Sequence, residues 1–472
     1  MASAVLLGAQ ISEEAAAVAA ASGSMEAMNA VYFGAEDSLN SIARDFGGTW
    51  NVQLGFSFDD RPQRSTRALL KAVFRTSPFT AFLRSAAERI LKESPSVVGL
   101  SIASEYQLVH GFQLAEMLKA LGSTAAIILG GNVISRLIEP LSIPEVFEFV
   151  DGLVAFGGEV PLLHLASTNG ERSTFDTIPG LTWFDGASVQ VNVAASALAL
   201  KDAVAPSYKG LEHPYWGTRY HSVVAERGCY YGKCTFCAIP YGWGAGGYAG
   251  SRSAAHTAGD LQQIAQTTGV TRFKFVDEAM RPSFVRALAS HISGDGFEWE
   301  AYTRLESAFE DSALFADASA AGLRKLYFGL EIAPSATRAA LGKNDHGRVQ
   351  EILKSCSDNG VKVHLFCMAG YPGTTEADAY QTVDFLLRNI DRVDTADMVP
   401  WGYARHTSVP GVRRLERPEE DLALEYNWSP EDASVISQDR VEALGEECES
   451  ALWDAAPRLL HPIHRLVSPW ST

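Results

Sequence analysis

Cys229-Tyr-Tyr-Gly-Lys-Cys234-Thr-Phe-Cys237 gathers three of the chain's six cysteines within nine residues. Thiolates are soft donors, and three on one short loop suit a metal centre. A tetrahedral zinc site needs a fourth ligand, usually from a second pair of the C-x2-C or H-x3-H kind. The chain has no such pair. Cys356 and Cys367 are too far apart to form one, and Cys448 stands alone. His256 could complete a zinc site with the loop. The other reading is a [4Fe–4S] cluster, in which three cysteines hold three irons and the fourth iron stays open to a ligand.

The elements around the loop alternate. After it begins at the end of a strand read at 221–226, further strands are expected at 272–276, 298–303, 325–330, 361–368 and 395–400. Helices are expected between them, near 260–266, 284–292, 312–321, 348–356 and 379–387. Six strand–helix units imply an open (β/α)6 barrel with its chemistry at the carboxyl ends of the strands. Upstream, apolar runs at 97–102, 125–129 and 149–156 read as strands, with helices at 105–121 and from 160. This is a Rossmann-like parallel sheet. Ser101, Gly130-Gly131-Asn132 and Gly157-Gly158-Glu159 fall at the carboxyl ends of its strands, where glycine lets a ligand approach the backbone. They could equally be tight βα turns. Two helices broken near Pro78 are expected over 65–91, a helix at 15–21, a strand at 29–34, a turn or hairpin over 178–186 and a helix over 441–453.

With 472 residues, two or three domains are expected. They are 1–170, a connector at 171–220, the barrel at 221–409 and an extension at 410–472. The net charge of −17, with no basic cluster, argues against a nucleic-acid backbone as partner. No apolar run approaches the ~20 residues of a membrane span. Without a disulfide framework, a cytoplasmic protein is expected.

Arg227-Gly-Cys229, Cys234-Thr-Phe-Cys237 and the barrel that follows resemble the radical S-adenosylmethionine enzymes. The common spacing there is C-x3-C-x2-C. The C-x4-C-x2-C spacing here resembles a subgroup with a cobalamin domain, found among enzymes that mature ribosomal peptides and other natural products. The resemblance implies that Cys229, Cys234 and Cys237 ligate the cluster and that Phe236 lies on the adenine side. Asp277 and Glu278 would meet the methionine amino group of S-adenosylmethionine. Arg304 would pair with its carboxylate, and Glu331 of Gly329-Leu-Glu331 would lie near the ribose. Gly370, Tyr371 and Pro372 resemble the turn ending the fifth strand, and Lys343 lies in a similar Gly-Lys stretch. The glycine-tipped sheet would bind cobalamin. The D-x-H-x-x-G motif that supplies its lower ligand is missing, and His110-Gly111 sits in a helical pattern, so no axial histidine is expected.

The implied activity is methylation of an unactivated carbon of a peptide or natural product, with an electron donor such as flavodoxin or ferredoxin. Alternatives are a cobalamin-dependent rearrangement or cyclisation without methyl transfer, and a zinc- or cluster-stapled binding protein. Tyr403, Arg405 and His406 follow the last strand and are candidate substrate contacts or ordinary packing.

Overall fold

A computed structural model of the chain describes residues 37–51, 55–193, 199–209, 220–242, 248–335, 338, 341, 343, 348–432 and 434–460. The helix read at 15–21 and the strand at 29–34 lie outside the described residues. The chain forms two compact units, residues 1–197 with 416–424, and residues 198–415 with 425–472.

The first unit opens with an antiparallel hairpin, β1 (Gly48–Asn51) and β2 (Gly55–Phe58). Helices α1 (Thr66–Ala72) and α2 (Thr80–Lys92) follow, separated around Pro78 as the sequence indicated. Then come β3 (Val97–Ser101), α3 (Leu108–Ala120), β4 (Ala126–Gly130), α4 (Asn132–Leu141), β5 (Gly152–Val154) and α5 (Glu159–Ser167). Strands β3, β4 and β5 run parallel. In β4, Ile127 and Leu129 enter one apolar cluster while Ala126 and Ile128 enter another. Burial on both faces explains its unbroken apolar sequence and gives helix–sheet–helix layers.

The turn at 178–186 is part of a hairpin of β6 (Leu181–Phe184) and β7 (Val189–Val191), which extends the sheet antiparallel to β5. The expected connector therefore starts inside the first unit, whose sheet continues through β7 to Val191. Residues 416–424 return to this unit. Leu422 is fully buried in its core, and Asp421 accepts from Thr66 N at 2.9 Å and Thr66 Oγ1 at 2.5 Å.

In the second unit, six parallel strands stand in the order β15-β14-β13-β12-β11-β8. They are β8 (His221–Val223), β11 (Arg272–Phe275), β12 (Glu298–Arg304), β13 (Leu323–Glu331), β14 (Lys362–Ala369) and β15 (Thr395–Pro400). Between β8 and β11 lies a two-stranded antiparallel ribbon, β9 (Glu226–Gly228) and β10 (Tyr248–Ser251). The strand read at 221–226 is thus two short strands with a turn at Val224-Ala225. Helices α6 (Ala254–Thr268), α7 (Pro282–Ile292), α8 (Ser312–Ala320), α9 (Val349–Asp358) and α10 (Glu376–Arg388) pack on one face of the sheet. Among the described residues the sheet does not close on itself, as expected for a partial barrel.

The final stretch adds a small sheet, with β16 (Tyr403–Ala404) and β17 (Val412–Leu415) on either side of β18 (Glu425–Pro430). Helix α11 (Gln438–Ala455) places Leu444, Cys448 and Leu452 in the barrel core. The C-terminal residues are therefore structural parts of both units.

Candidate active site

The cysteine loop emerges from β9, and β10 returns beside it. Two carboxylates after β11 hold its base. Asp277 Oδ1 accepts from Ala225 N at 2.9 Å and from Glu226 N, and Glu278 Oε2 accepts from Gly228 N at 3.2 Å. Asp277 is 1% exposed. Burial pushes its carboxyl up to about 8, against the opposing pull of the two backbone donors. Asp277 was expected beside a ligand ammonium, but the structure turns it into the wall as a brace for the β8–β9 turn. Glu278 remains half-buried at the loop's base.

Sequence reasoning missed the rest of this brace. Glu226 is buried, and Arg281 Nε stands 3.1 Å from its Oε1. Burial raises the Glu226 carboxyl to about 7, with Arg281 opposing. The Arg281 guanidinium also lies over the Tyr230 and Tyr248 rings, at 5.4 and 5.0 Å. The available signal was Tyr230-Tyr231 inside the motif, since aromatic faces attract cations.

Arg304, at the end of β12, sits beneath the loop. Its guanidinium lies 3.5 Å from the Tyr231 ring centroid, and its Nη1 pairs with Glu306 Oε1 at 2.7 Å. Glu306 also accepts from Tyr230 at 2.5 Å. Burial, reinforced by the Glu306 carboxylate, pushes the Tyr230 phenol up.

At the end of β13 the ladder to β14 is irregular between Gly329 and Glu331. Glu331 takes a left-handed backbone with φ 63°, a conformation that costs about 1–3 kcal/mol in a residue with a side chain. Its Oε1 accepts from Lys343 Nζ at 2.6 Å, and Lys343 donates a second bond to Gly329 O at 2.8 Å. Lys343 is 6% exposed. A Cβ on Gly329 would stand 2.5 Å from Glu331 Oε1 and 2.7 Å from Lys343 Nζ. Only glycine leaves room for that ion pair. The Gly-Leu-Glu motif is thus a spatial unit completed by a lysine from the next segment.

The far side of the loop meets the turn after β14. Thr235 Oγ1 lies 2.6 Å from the Tyr371 hydroxyl, and Phe236 packs edge-on against Tyr371 at 6.1 Å. Tyr371 continues into a buried cluster with Trp401, Tyr403 and Trp428, beside buried Pro372 and the Gly370 turn. Tyr403 is therefore packing. His406 stacks at 3.4 Å on Tyr241, which follows the cysteine loop, and Arg405 lies over the Tyr426 ring at 5.9 Å.

All three cysteines are free and half-buried. Burial raises Cys237 to about 11, reinforced by Cys234 and Cys229. It also raises Cys234, where Lys343 and Arg304 pull the other way. Three thiols on one loop need positive charge before they can all ionise, and Lys343 and Arg304 supply it at Cys234. Among the described residues no three His, Cys, Asp or Glu side chains group around a single metal ion. His256, the candidate fourth zinc ligand, is in α6, where its Nε2 lies 3.0 Å from Arg252 Nη1 and 3.8 Å from Asp260 Oδ1.

In the first unit, register pairs Ser101 with Gly130 and Leu129 with Leu153. The turns at Ser101, Gly130-Gly131-Asn132 and Gly157-Gly158-Glu159 therefore share one edge of the sheet, where α4 and α5 begin. Gly131 has φ +99°, and a Cβ there would meet the Ile102 backbone at 2.6–2.9 Å. His110 is inside α3, bonded through Nδ1 to Gln113 at 2.9 Å and packed on Phe79 at 5.0 Å. Burial lowers its pKa. The other histidine of residues 1–197, His164, is on α5.

Solved structures share this architecture. A radical S-adenosylmethionine methyltransferase, TsrM, from Kitasatospora setae with cobalamin and [4Fe–4S] cluster bound, matches with a TM-score of 0.57 at 15% identity, over 80% of this chain and 83% of that one. The structure of TsrM with tryptophan substrate and a S-adenosylmethionine analogue matches at 0.55 and 16% identity, over 76% and 74%. OxsB, a cobalamin-dependent S-adenosylmethionine radical enzyme with aqua-cobalamin and S-adenosylmethionine bound, matches at 0.62 and 15% identity, over 78% of this chain and 60% of that one. The fold is that of cobalamin-dependent radical S-adenosylmethionine enzymes. The chain spans about three fifths of the length of OxsB. No family model matches the sequence, and no curated protein matches it. Among the described residues no helix is long and apolar enough to cross a membrane.

Proposed function

We propose that the chain is a cobalamin-dependent radical S-adenosylmethionine methyltransferase acting on an unactivated carbon of a peptide or natural product. The observation that carries this is the three-thiol loop, braced by Asp277 and Glu278 and faced by Arg304 and the Glu331–Lys343 pair. Cys229, Cys234 and Cys237 would hold a [4Fe–4S] cluster. Arg304 and Lys343 offset thiolate charge and offer cations to a ligand carboxylate. Glu278 offers an acceptor to an ammonium, Glu331 one to ribose hydroxyls, and Phe236 with Tyr371 an apolar wall for adenine. In the first unit, the turns at Ser101, Gly130–Asn132 and Gly157–Glu159 would hold cobalamin without a histidine ligand. When bound, these groups supply one-electron cleavage of S-adenosylmethionine and a transferable methyl. The protein's own part is to orient them and exclude water around the reacting carbon. An external one-electron donor such as flavodoxin or ferredoxin completes the requirement. Support comes from the fold shared with TsrM, which is a methyltransferase and binds tryptophan as substrate.

The test is anaerobic reconstitution followed by iron, cobalt and zinc analysis and an assay for reductive cleavage of S-adenosylmethionine. Iron, cobalt and cleavage are expected, and Cys234→Ala should abolish cleavage and the cluster's visible absorbance. Methyl-labelled S-adenosylmethionine should pass its label to product. Label absent from a modified product would point to rearrangement instead, and zinc without iron or cobalt would point to a binding protein.

A further inference from the structure

The three turns at the carboxyl edge of the first unit's sheet are joined beyond the ends of its strands. Between the first two turns the joint is backbone. Ile102 N donates to Gly130 O at 2.8 Å, and Val133 N donates to Ile102 O at 3.1 Å. Between the second and third turns the strand register ends at Leu129 and Leu153. Past that point a side chain carries the connection. It is Ser135, in the first turn of α4. Ser135 is 1% exposed. Its Oγ accepts from Phe156 N at 2.7 Å and donates to Gly131 O at 3.0 Å. Each bond requires the other. An amide N–H only donates, so the hydroxyl must pass its own proton on, and the Gly131 carbonyl takes it.

Phe156 is the residue on which this hydroxyl acts. It stands between β5 and α5 with a left-handed backbone, φ 65°. A bulky residue rarely takes that conformation. It persists where the surroundings over-determine it, and the bond from Phe156 N to Ser135 is such a constraint. The next two residues are Gly157 and Gly158 of the candidate cofactor edge. The backbone angles at Phe156 set where their peptide groups point.

We propose that Ser135 is a positioning residue for cobalamin. Its buried hydroxyl holds Phe156 in the left-handed conformation and so fixes the third turn against Gly130-Gly131-Asn132 before the cofactor arrives. The proposal rests on the reading of this edge as the cobalamin site. Buried as it is, Ser135 acts through Gly131 and Phe156 rather than by touching the cofactor. A ligand that meets a preformed edge is spared the free energy of ordering it, and binds more tightly for that reason.

Threonine and valine share a shape and differ by the hydroxyl. Ser135→Thr should bind hydroxocobalamin like wild type, because a threonine in a helix reaches the carbonyl four residues back. Ser135→Val should bind it more weakly by roughly tenfold or more, since the Phe156 N–H loses its acceptor. Absorbance titration of the full chain, well below its melting temperature, reads both. Amide hydrogen exchange without cofactor should rise at 155–158 in Ser135→Val and stay unchanged in β3. The affinity loss caused by Ser135→Val should shrink in a Phe156→Gly background, because glycine takes the left-handed backbone unaided. A role in stability alone would leave that loss undiminished. Equal affinities of the threonine and valine variants, unchanged exchange at 155–158, or an undiminished loss in the glycine background overturns the proposal. Where Ser135→Thr does not fold, wild type against Ser135→Ala makes the same comparison. Wild-type protein that takes up no cobalamin overturns the cofactor reading instead, and the exchange comparison still decides what Ser135 does to the turn.

Discussion

Cys229, Cys234 and Cys237 are set in place by residues that carry no chemistry of their own. Gly329 is the sharpest case, because its missing side chain is the space in which Glu331 and Lys343 meet. Gly329→Ala should separate that pair and destabilise the second unit by about 1–3 kcal/mol through overpacking. Thermal melting reads the loss, and S-adenosylmethionine affinity should fall with it. Asp277 makes a pH prediction. Its carboxyl is raised from an ordinary 3.8 to about 8 in the folded chain. Between those values the folded state holds a proton that the unfolded state has released. The stability it contributes is therefore full below about pH 4 and is lost as pH rises through about 8. Asp277→Asn keeps an acceptor for Ala225 N and Glu226 N without the charge. The variant should gain stability relative to wild type as pH rises from 5 to 8.5, as read by denaturant midpoints. A constant difference across that range would show that Asp277 does not titrate as described.

At the scale of elements, the first unit depends on turns at the carboxyl ends of β3, β4 and β5. Gly131 joins β4 to α4 with a positive φ, against the backbone of Ile102. Gly131→Ala should cost about 1–3 kcal/mol from the strained backbone alone, and the steric clash adds to it. A lowered melting temperature is expected, with loss of the absorbance change that cobalamin gives on binding. A wild-type melt with cobalamin binding lost would place Gly131 in contact with the ligand rather than in the fold. These turns were readable as glycines after apolar strands. The short β8 and β9 were not, because their break at Val224-Ala225 is set by Asp277, some fifty residues later in the sequence.

At the scale of the whole chain, the first unit borrows residues 416–424 from far downstream. Asp421 accepts from both the backbone and the hydroxyl of buried Thr66, and Leu422 fills the core beside it. Asp421→Ala should destabilise the first unit by about 1–3 kcal/mol, since it strips a buried hydroxyl and amide of their acceptor. Hydrogen exchange should show the increase in α1 and spare β12 to β14. The same arithmetic predicts that residues 1–197 alone melt below the intact chain. Nothing local in the mixed sequence after 410 announces this return, since its meaning lies in contacts with Thr66, 355 residues earlier.

The sequence by itself determined the alternation of strands and helices, the six parallel barrel strands and the position of the three cysteines. Each of these is written in local periodicity or spacing, which neighbouring residues impose on one another. It also ordered Phe236, Asp277, Arg304, Glu331 and Tyr371 along the strand ends. Only the tertiary structure decided what those residues do. It turned Asp277 into a brace, gave Lys343 to Glu331, and stacked Arg304 under Tyr231. It also brought Lys325 and His364 to the same Thr395 hydroxyl. Burial and partners separated by tens to hundreds of residues set these outcomes, and a one-dimensional pattern does not contain them.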